Sequence, residues 1–261
     1  MADPEYLDTV RARGFGAEAQ RYDRSRPTYP DEMVVDLLAD GPLDIVDVGC
    51  GTGTAARLFL GAGRRLVGVE PDARMAAVAA DHGIDVEVSD FESWDSGGRR
   101  FDLLVSGTAW HWVDPAAGTA RAAEVLRPGG RFAAFWNAMH HGPAVRAVFD
   151  RVYGRHAPAM LRTSFALGLV ATIDETDDPY GEALAAGPFD GVVVGERRTY
   201  PWSTTYTPQE WVDLAATHSD HLLLDAGIRT ALFDDLLEAL SALGTSFAVA
   251  LRTDLLTAVR R

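Results

Sequence analysis

The stretch Ile45–Arg57, IVDVGCGTGTAAR, constrains this chain more than any other. Ile45, Val46 and Val48 form a short β-branched run that predicts a buried strand. Gly49, Gly51 and Gly53 follow, and glycines bring bare backbone round a turn where a side chain would block a ligand. Thr54-Ala55-Ala56-Arg57-Leu58-Phe59 then reads as a helix reaching about Leu60, with Thr54 as its cap. The helix start behind the turn offers N–H groups and positive potential. Two ligand classes fit this spacing poorly. A nicotinamide fingerprint needs a last glycine where Thr54 stands. A phosphate-binding P-loop needs Gly-Lys-Ser/Thr, and the chain contains no lysine.

The rest of the chain repeats the alternation of strand and helix. Pro27 and Pro30 forbid a continuous helix before about Asp31, after which Asp31–Ala39 is helical with Met33, Val34, Leu37 and Leu38 inward. Strands are expected at Leu43–Val48, Arg65–Glu70, Ile84–Val88, Phe101–Val105 and Arg131–Trp136. Helices are expected from Pro71-Asp72 to about Asp81 and from Asp114-Pro115 to Leu126. Arg127-Pro128-Gly129-Gly130 stops the second of these. Such alternation implies an α/β fold: a mainly parallel sheet with helices on both faces. Beyond Asn137 the pattern changes. A helix over Pro143–Arg155 is followed by irregular sequence at 157–188, which is either an insertion covering a pocket or a solvated connector. Val192–Tyr200 is expected as a sixth strand. Thr207-Pro208-Gln209-Glu210 opens a helix to about Thr217. A further helix spans Ile228–Leu243, and Phe247–Val259 ends as an antiparallel strand beside strands five and six.

Composition bears mainly on partners. The formal charge is −14, with arginine as the only strong cation. An acidic surface without a basic stripe argues against a nucleic-acid substrate. Cys50 is the single cysteine, so no intrachain disulfide forms and a reducing compartment fits. The N-terminal residues carry no apolar core of a signal peptide, and no run of ~18 apolar residues occurs. The expectation is a cytoplasmic protein, monomer or homodimer, acting on a small molecule away from membranes.

The series DVGCGTG, GVEPDARM, VSDFESW, FDLLVSGTAWHWVD and EVLRPGGRFAAFW, over residues 40–137, resembles the motifs of the class I S-adenosylmethionine (SAM) methyltransferases in their order. RYDRSRPTYP and the HWVD loop are similar to the subgroup containing trans-aconitate methyltransferase. The resemblance implies a Rossmann-like seven-stranded sheet ordered 3-2-1-4-5-7-6 with strand seven antiparallel. It also implies SAM over the ends of strands one to three, with S-adenosylhomocysteine (SAH) as product. Residues 1–30 would be a lid, and 31–261 one domain with its cofactor half at 40–137 and a substrate cap at about 140–190.

Candidate site residues follow. Gly49, Cys50 and Gly51 form the cofactor loop, in which Cys50 reads as a small loop residue. Glu70, at the end of strand two, can accept hydrogen bonds from both ribose hydroxyls, or is a surface carboxylate before a helix. Asp90 can accept the adenine amine, with Phe91 supplying a backbone N–H. Pro71 and Met75 flank the ring, although a helical Met is also a core residue. Ser106 opens the loop after strand four. In that loop His111 is either a general base for a hydroxyl or amine, or a ring that orients the loop. Trp110, Trp112 and Trp136 either wall the acceptor pocket or pack as loop core, with one of the three expected on ligand. His140 follows strand five on the same side, and no metal site is expected. Tyr22 and Arg26 belong to the lid, where Arg26 is either a partner for the methionine carboxylate or a surface arginine. Two other functions remain: a SAM-binding protein without transfer activity, and a nicotinamide oxidoreductase.

Overall fold

β1 (Asp44–Val48) is buried at every position and has neighbours on both sides. It pairs in parallel with β2 (Arg65–Val69) and with β4 (Phe101–Gly107). β3 (Asp85–Glu87) lies outside β2, and β5 (Leu126–His141) lies outside β4, both parallel. β8 (Phe247–Arg260) runs antiparallel to β5, from Arg131↔Val259 to His141↔Val249. The other edge of β8 takes the two-residue β6 (Phe189–Asp190) and then β7 (Arg198–Tyr206). The order is therefore 3-2-1-4-5-8 with β7 outermost, which is the expected Rossmann-like sheet with one short extra strand. This computed structural model describes residues 15–41, 44–162, 164, 167, 178–194 and 196–261.

Strand alternation sorts the central side chains to two faces. Ile45, Leu103 and Val105 pack with α2 (Asp31–Leu38) and α3 (Ala56–Phe59) through Met33, Leu37 and Phe59. Val46, Val48 and Leu104 face the other way, toward Phe91, Trp94, Trp110 and α5 (Pro115–Val125). A third apolar cluster joins the far strands to α6 (Pro143–His156), α8 (Pro208–Ala216) and α10 (Ala226–Ser241) around Phe149, Trp211, Leu232 and Leu236. α8 begins with the expected capping box: Thr207 accepts from Glu210 N–H, and Glu210 accepts from Thr207 N–H.

Several boundaries differ from the sequence expectation. The helix after the glycine turn is only Ala56–Phe59, and Thr54 does not cap it. The turn consumes more backbone than expected, and Thr54 Oγ1 lies 3.3 Å from Thr52 Oγ1 instead. β5 runs five residues past Trp136, held there by its ladder with β8. The strand expected from Val192 begins at Arg198, because Val193 and Val194 find no partner strand and stay exposed. Within the stretch expected to be irregular, α7 (Pro179–Ala186) is helical, capped by Asp178 accepting from Gly181 N–H. Residues 1–14, 42, 43, 163, 165, 166, 168–177 and 195, which include part of the 157–188 stretch and about half of the expected lid, lie outside the described residues. Among the described residues no helix is long and apolar enough to cross a membrane.

Candidate active site

The glycine turn leaves β1 in a left-handed backbone, with φ of +67° at Gly49, +56° at Gly51 and +85° at Gly53. A Cβ on Gly49 would sit 2.5 Å from Ala109 Cβ, in the loop after β4. One on Gly53 would meet Ile84 Cδ1 at 2.2 Å. Glycine at these two positions lets neighbouring loops close on the turn. Gly49 and Cys50 N–H donate to Val69 O at the end of β2. Burial pushes the Cys50 thiol up, and a Cβ on Gly68 would meet its Sγ at 2.6 Å, so the thiol is a packing group.

Glu70 closes the turn from the side. Its Oε2 accepts Gly51 N–H at 3.0 Å and its Oε1 accepts Asp72 N–H at 2.9 Å. Each oxygen keeps one further lone pair for a ligand donor. Burial raises its pKa to about 7, against the two backbone hydrogen bonds. Asp47, one strand over, was missed by the sequence reading. Both of its oxygens are buried, and among the described residues only a weak contact with the Ala56 N–H offsets that burial. Burial, and then the nearby Glu70 charge, hold its carboxyl well above the usual carboxylate range. A charged residue inside an apolar strand run was the visible signal for it.

The turn, Glu70 and the loop after β4 open into one cavity of about 390 Å³. That lies within the size range of small-ligand sites. Of the sixteen predicted residues, thirteen line it: the loop Gly49, Cys50 and Gly51; Glu70, Pro71 and Met75; Asp90 and Phe91; Tyr22 and Arg26; and His111, Trp112 and Trp136. Three do not. Ser106 is buried between strands, where its hydroxyl donates to Val48 O at 2.8 Å and braces β4 on β1. Trp110 is wholly buried edge-on to Phe132, with ring centroids 4.7 Å apart. His140 is carried off the cavity by the longer β5 and is exposed.

Hydrogen bonds restrict what several wall residues can do. Trp136 Nε1–H donates to His111 Nδ1 at 3.1 Å. Indole is a donor only, so Nδ1 is the acceptor and the proton of the neutral ring sits on Nε2. Arg26 donates from Nε to Thr217 Oγ1 and from Nη2 to Thr217 O, both at 3.0 Å, and lies over the Tyr22 ring. Thr108 holds φ +52°, strained for a β-branched residue, while its hydroxyl pairs with Tyr29 at 2.9 Å. Tyr29, in RYDRSRPTYP, and Thr108, in FDLLVSGTAWHWVD, also line the cavity, and Asn137 and His218 line it without a sequence signal that marks them. Among the described residues no group of three or more His, Cys, Asp and Glu could hold a metal ion.

Comparison with known proteins finds methyltransferases among the similar chains. Residues 45–130 match the methyltransferase domain family. The chain is 29% identical over 243 residues to an uncharacterized methyltransferase of Mycobacterium tuberculosis, covering 91% of this chain and 90% of that one. It is 36% identical over 137 residues to the malonyl-[acyl-carrier protein] O-methyltransferase of Hahella chejuensis, 46% of this chain and 47% of that. A solved structure of a candidate type II methyltransferase from Anaeromyxobacter dehalogenans superposes with a TM-score of 0.61 at 20% identity, over 89% of this chain and 97% of that one. That likeness concerns the fold. The chain is thus similar to methyltransferases in the half of the sheet that holds the glycine turn and the cavity beside it, and it shares the fold of the solved structure.

Proposed function

We propose that the protein is a SAM-dependent methyltransferase acting at oxygen or nitrogen of a small molecule. The observation that carries this reading is Glu70, buried at the cavity end with one lone pair left on each oxygen. That arrangement suits the two adjacent hydroxyls of a ribose. Gly51, whose Cβ position faces only Met75 Cε at 3.6 Å, leaves room for the nucleoside beside it. Asp90 and Phe91 would hold the adenine edge, and the uncompensated Asp47 and Glu70 carboxyls suit a ligand that carries positive charge. When bound, SAM supplies an electrophilic methyl group on a sulfonium. The protein's part is to align an acceptor in line with it and to exclude water. Trp112 and Trp136 give the acceptor an aromatic wall. The trans-aconitate resemblance of RYDRSRPTYP and HWVD supports a small acceptor, and the O-methyltransferase activity of the Hahella relative supports oxygen.

Calorimetry tests this reading. SAM and SAH should bind and NADH should not. Binding of NADH with no response to SAM or SAH would overturn it. Binding without turnover on any acceptor of a broad panel would favour the SAM-binding protein instead. Residues 1–30 are proposed as the lid over the cofactor, supported by Tyr22 and Arg26 on the cavity wall. SAH should then slow tryptic cleavage at Arg21 and Arg24, and equal rates would remove the lid.

A further inference from the structure

Among the described residues, eleven glycines have a positive φ and one other residue does, Thr108 at +52°. The chain uses glycine for its other left-handed turns, Gly49 and Gly51 on the cavity wall included, so the side chain at 108 answers to something besides the turn. A β-branched residue in this conformation is strained and persists only where its surroundings hold it. Here the Thr108 hydroxyl is paired with the Tyr29 hydroxyl at 2.9 Å, and its N–H donates to Phe135 O at 2.7 Å. Just beyond, Ala109 packs on the glycine turn, 2.5 Å from where a Cβ on Gly49 would sit. The 3-10 turn Trp110–Trp112 follows and brings His111 and Trp112 to the cavity.

Tyr29 is itself fixed. It is buried, and its ring stands edge-on to Phe135 with centroids 4.6 Å apart. Its oxygen sits against Gly107, where a Cβ would come within 2.8 Å of it. Burial pushes the phenol above its usual range, so it stays a neutral hydroxyl. The residues before it are pinned to two further elements. Asn137 Nδ2, on β5, donates to Thr28 O at 3.0 Å. Arg26 donates to Thr217, which ends α8 just before the short helix α9 (Ser219–Leu222). Residues 26–29 therefore tie α8, β5 and the loop after β4 together, with a hydrogen-bonded anchor on each.

Building on the methyltransferase reading, we propose that Tyr29 is a positioning residue: its hydroxyl holds Thr108 in the left-handed conformation that sets the path of residues 109–113, and with it the acceptor wall at His111 and Trp112. A glycine at 108 would take this turn without strain, but it would take others as readily, and the wall behind it would follow the backbone. Threonine limits the choice, and the bond from Tyr29 selects the strained member. That bond comes from the end of the lid segment. The lid and the acceptor wall are thereby set by the same contact, although 79 positions of sequence separate its two ends.

The test is hydrogen exchange on the full chain, with and without SAH, read by mass spectrometry. Tyr29→Phe keeps the ring and Thr108→Val keeps the branch, and each removes one hydroxyl. In both, the backbone amides of residues 108–113 should exchange roughly 3–10-fold faster than in the native protein, while β1 and β2 keep their native rates. Thr108→Ser retains the hydroxyl and should exchange at the native rate. Denaturation midpoints test the strain. Thr108→Gly should be more stable than Thr108→Val, although it removes more of the side chain. On an identified acceptor, Tyr29→Phe should raise the acceptor KM by roughly 3–10-fold, more than it changes kcat or SAH affinity. Native exchange in both hydroxyl variants overturns the proposal, as does faster exchange spread evenly over the sheet. So does a Thr108→Ser that behaves as Thr108→Val, or a Thr108→Gly less stable than Thr108→Val. If the native protein binds no SAH, the methyltransferase reading fails, and the exchange rates without ligand still decide whether Tyr29 holds the loop. Should Tyr29→Phe fail to fold, Thr108→Val reads the same bond from its other end.

Discussion

Asp44 and Asp47 stand at the two ends of β1, and their surroundings are opposites. Asp44 Oδ1 accepts from Arg65 Nε at 2.5 Å and Oδ2 from Arg127 Nη2 at 2.6 Å. Arg127 also pairs with Asp102, whose other oxygen accepts Asp44 N–H. Four charged groups from four strands thus neutralise one another, and the Arg65 hydrogen bond leads in holding the Asp44 carboxyl below its usual range. At the other end, among the described residues, no cation pairs with Asp47 and Glu70 accepts only from backbone N–H groups. Both ends belong to the same strands, so packing did not force the difference. The end that departs from charge balance is the one with the cavity, as expected where a ligand completes the arrangement.

Four measurements would break or sharpen this contrast. The largest effect is expected from Gly49→Ala, which places a Cβ in a left-handed conformation and 2.5 Å from Ala109. Strain and overpacking together should destabilise the protein by roughly 2–4 kcal/mol in chemical denaturation and impair SAH binding. A native-like midpoint would mean that the turn is looser than described. Next, Glu70→Ala should weaken SAH binding by ~1–3 kcal/mol in calorimetry, the scale of hydrogen bonds to a charged group. Unchanged affinity in a folded variant would take Glu70 out of the site.

The third measurement sets the two ends against each other. Asp44→Asn should cost about 1–2 kcal/mol of stability at pH 7. The figure is kept small because the Arg65 and Arg127 side chains are 77% and 41% exposed and their attraction is screened. A lowered carboxyl pKa stabilises above the unfolded value, and that contribution fades as pH falls through the folded one, so the deficit should shrink in acid. Asp47→Asn should behave the other way. A raised carboxyl pKa destabilises as pH rises above the unfolded value, so the variant should gain on the native protein toward alkaline pH. Parallel pH profiles for the two variants would erase the contrast. The smallest effect concerns binding. With its pKa at about 7, Glu70 becomes a full acceptor only as pH rises through neutrality. SAH affinity should therefore climb severalfold between pH 6 and 8, and this slope should vanish in Glu70→Gln.

What the sequence made legible is local. The strand Ile45–Val48, the glycine turn, Glu70 and Asp90 lie within fifty residues, and each declares itself by residue type and spacing. The far half of the cavity is assembled by β5, α8 and α9 from positions with no common spacing. Asn137 from β5 and His218 from the turn between α8 and α9 both line it, with β8 standing between β5 and β7 in the sheet. Trp110 and Trp112 show the same limit at close range. Their residue type is identical, yet the 3-10 turn Trp110–Trp112 sends one into the core and one to the cavity. The choice depends on Phe132 and Phe91 being in place, which no window around the tryptophans contains.

The clasp between Arg26 and Thr217 spans 191 positions of sequence. On a ribosome adding ~5–20 residues per second, Arg26 waits roughly 10–40 s for the residue that holds it. The glycine turn, Glu70 and the loop after β4 are all synthesised well before then. A nascent chain therefore has one wall of its cavity built while the opposite wall does not yet exist. During that interval the half-made sheet exposes the edge of β5 that β8 later covers, so the window in which this protein is open to a ligand in statu nascendi is also the window in which it is open to misassembly.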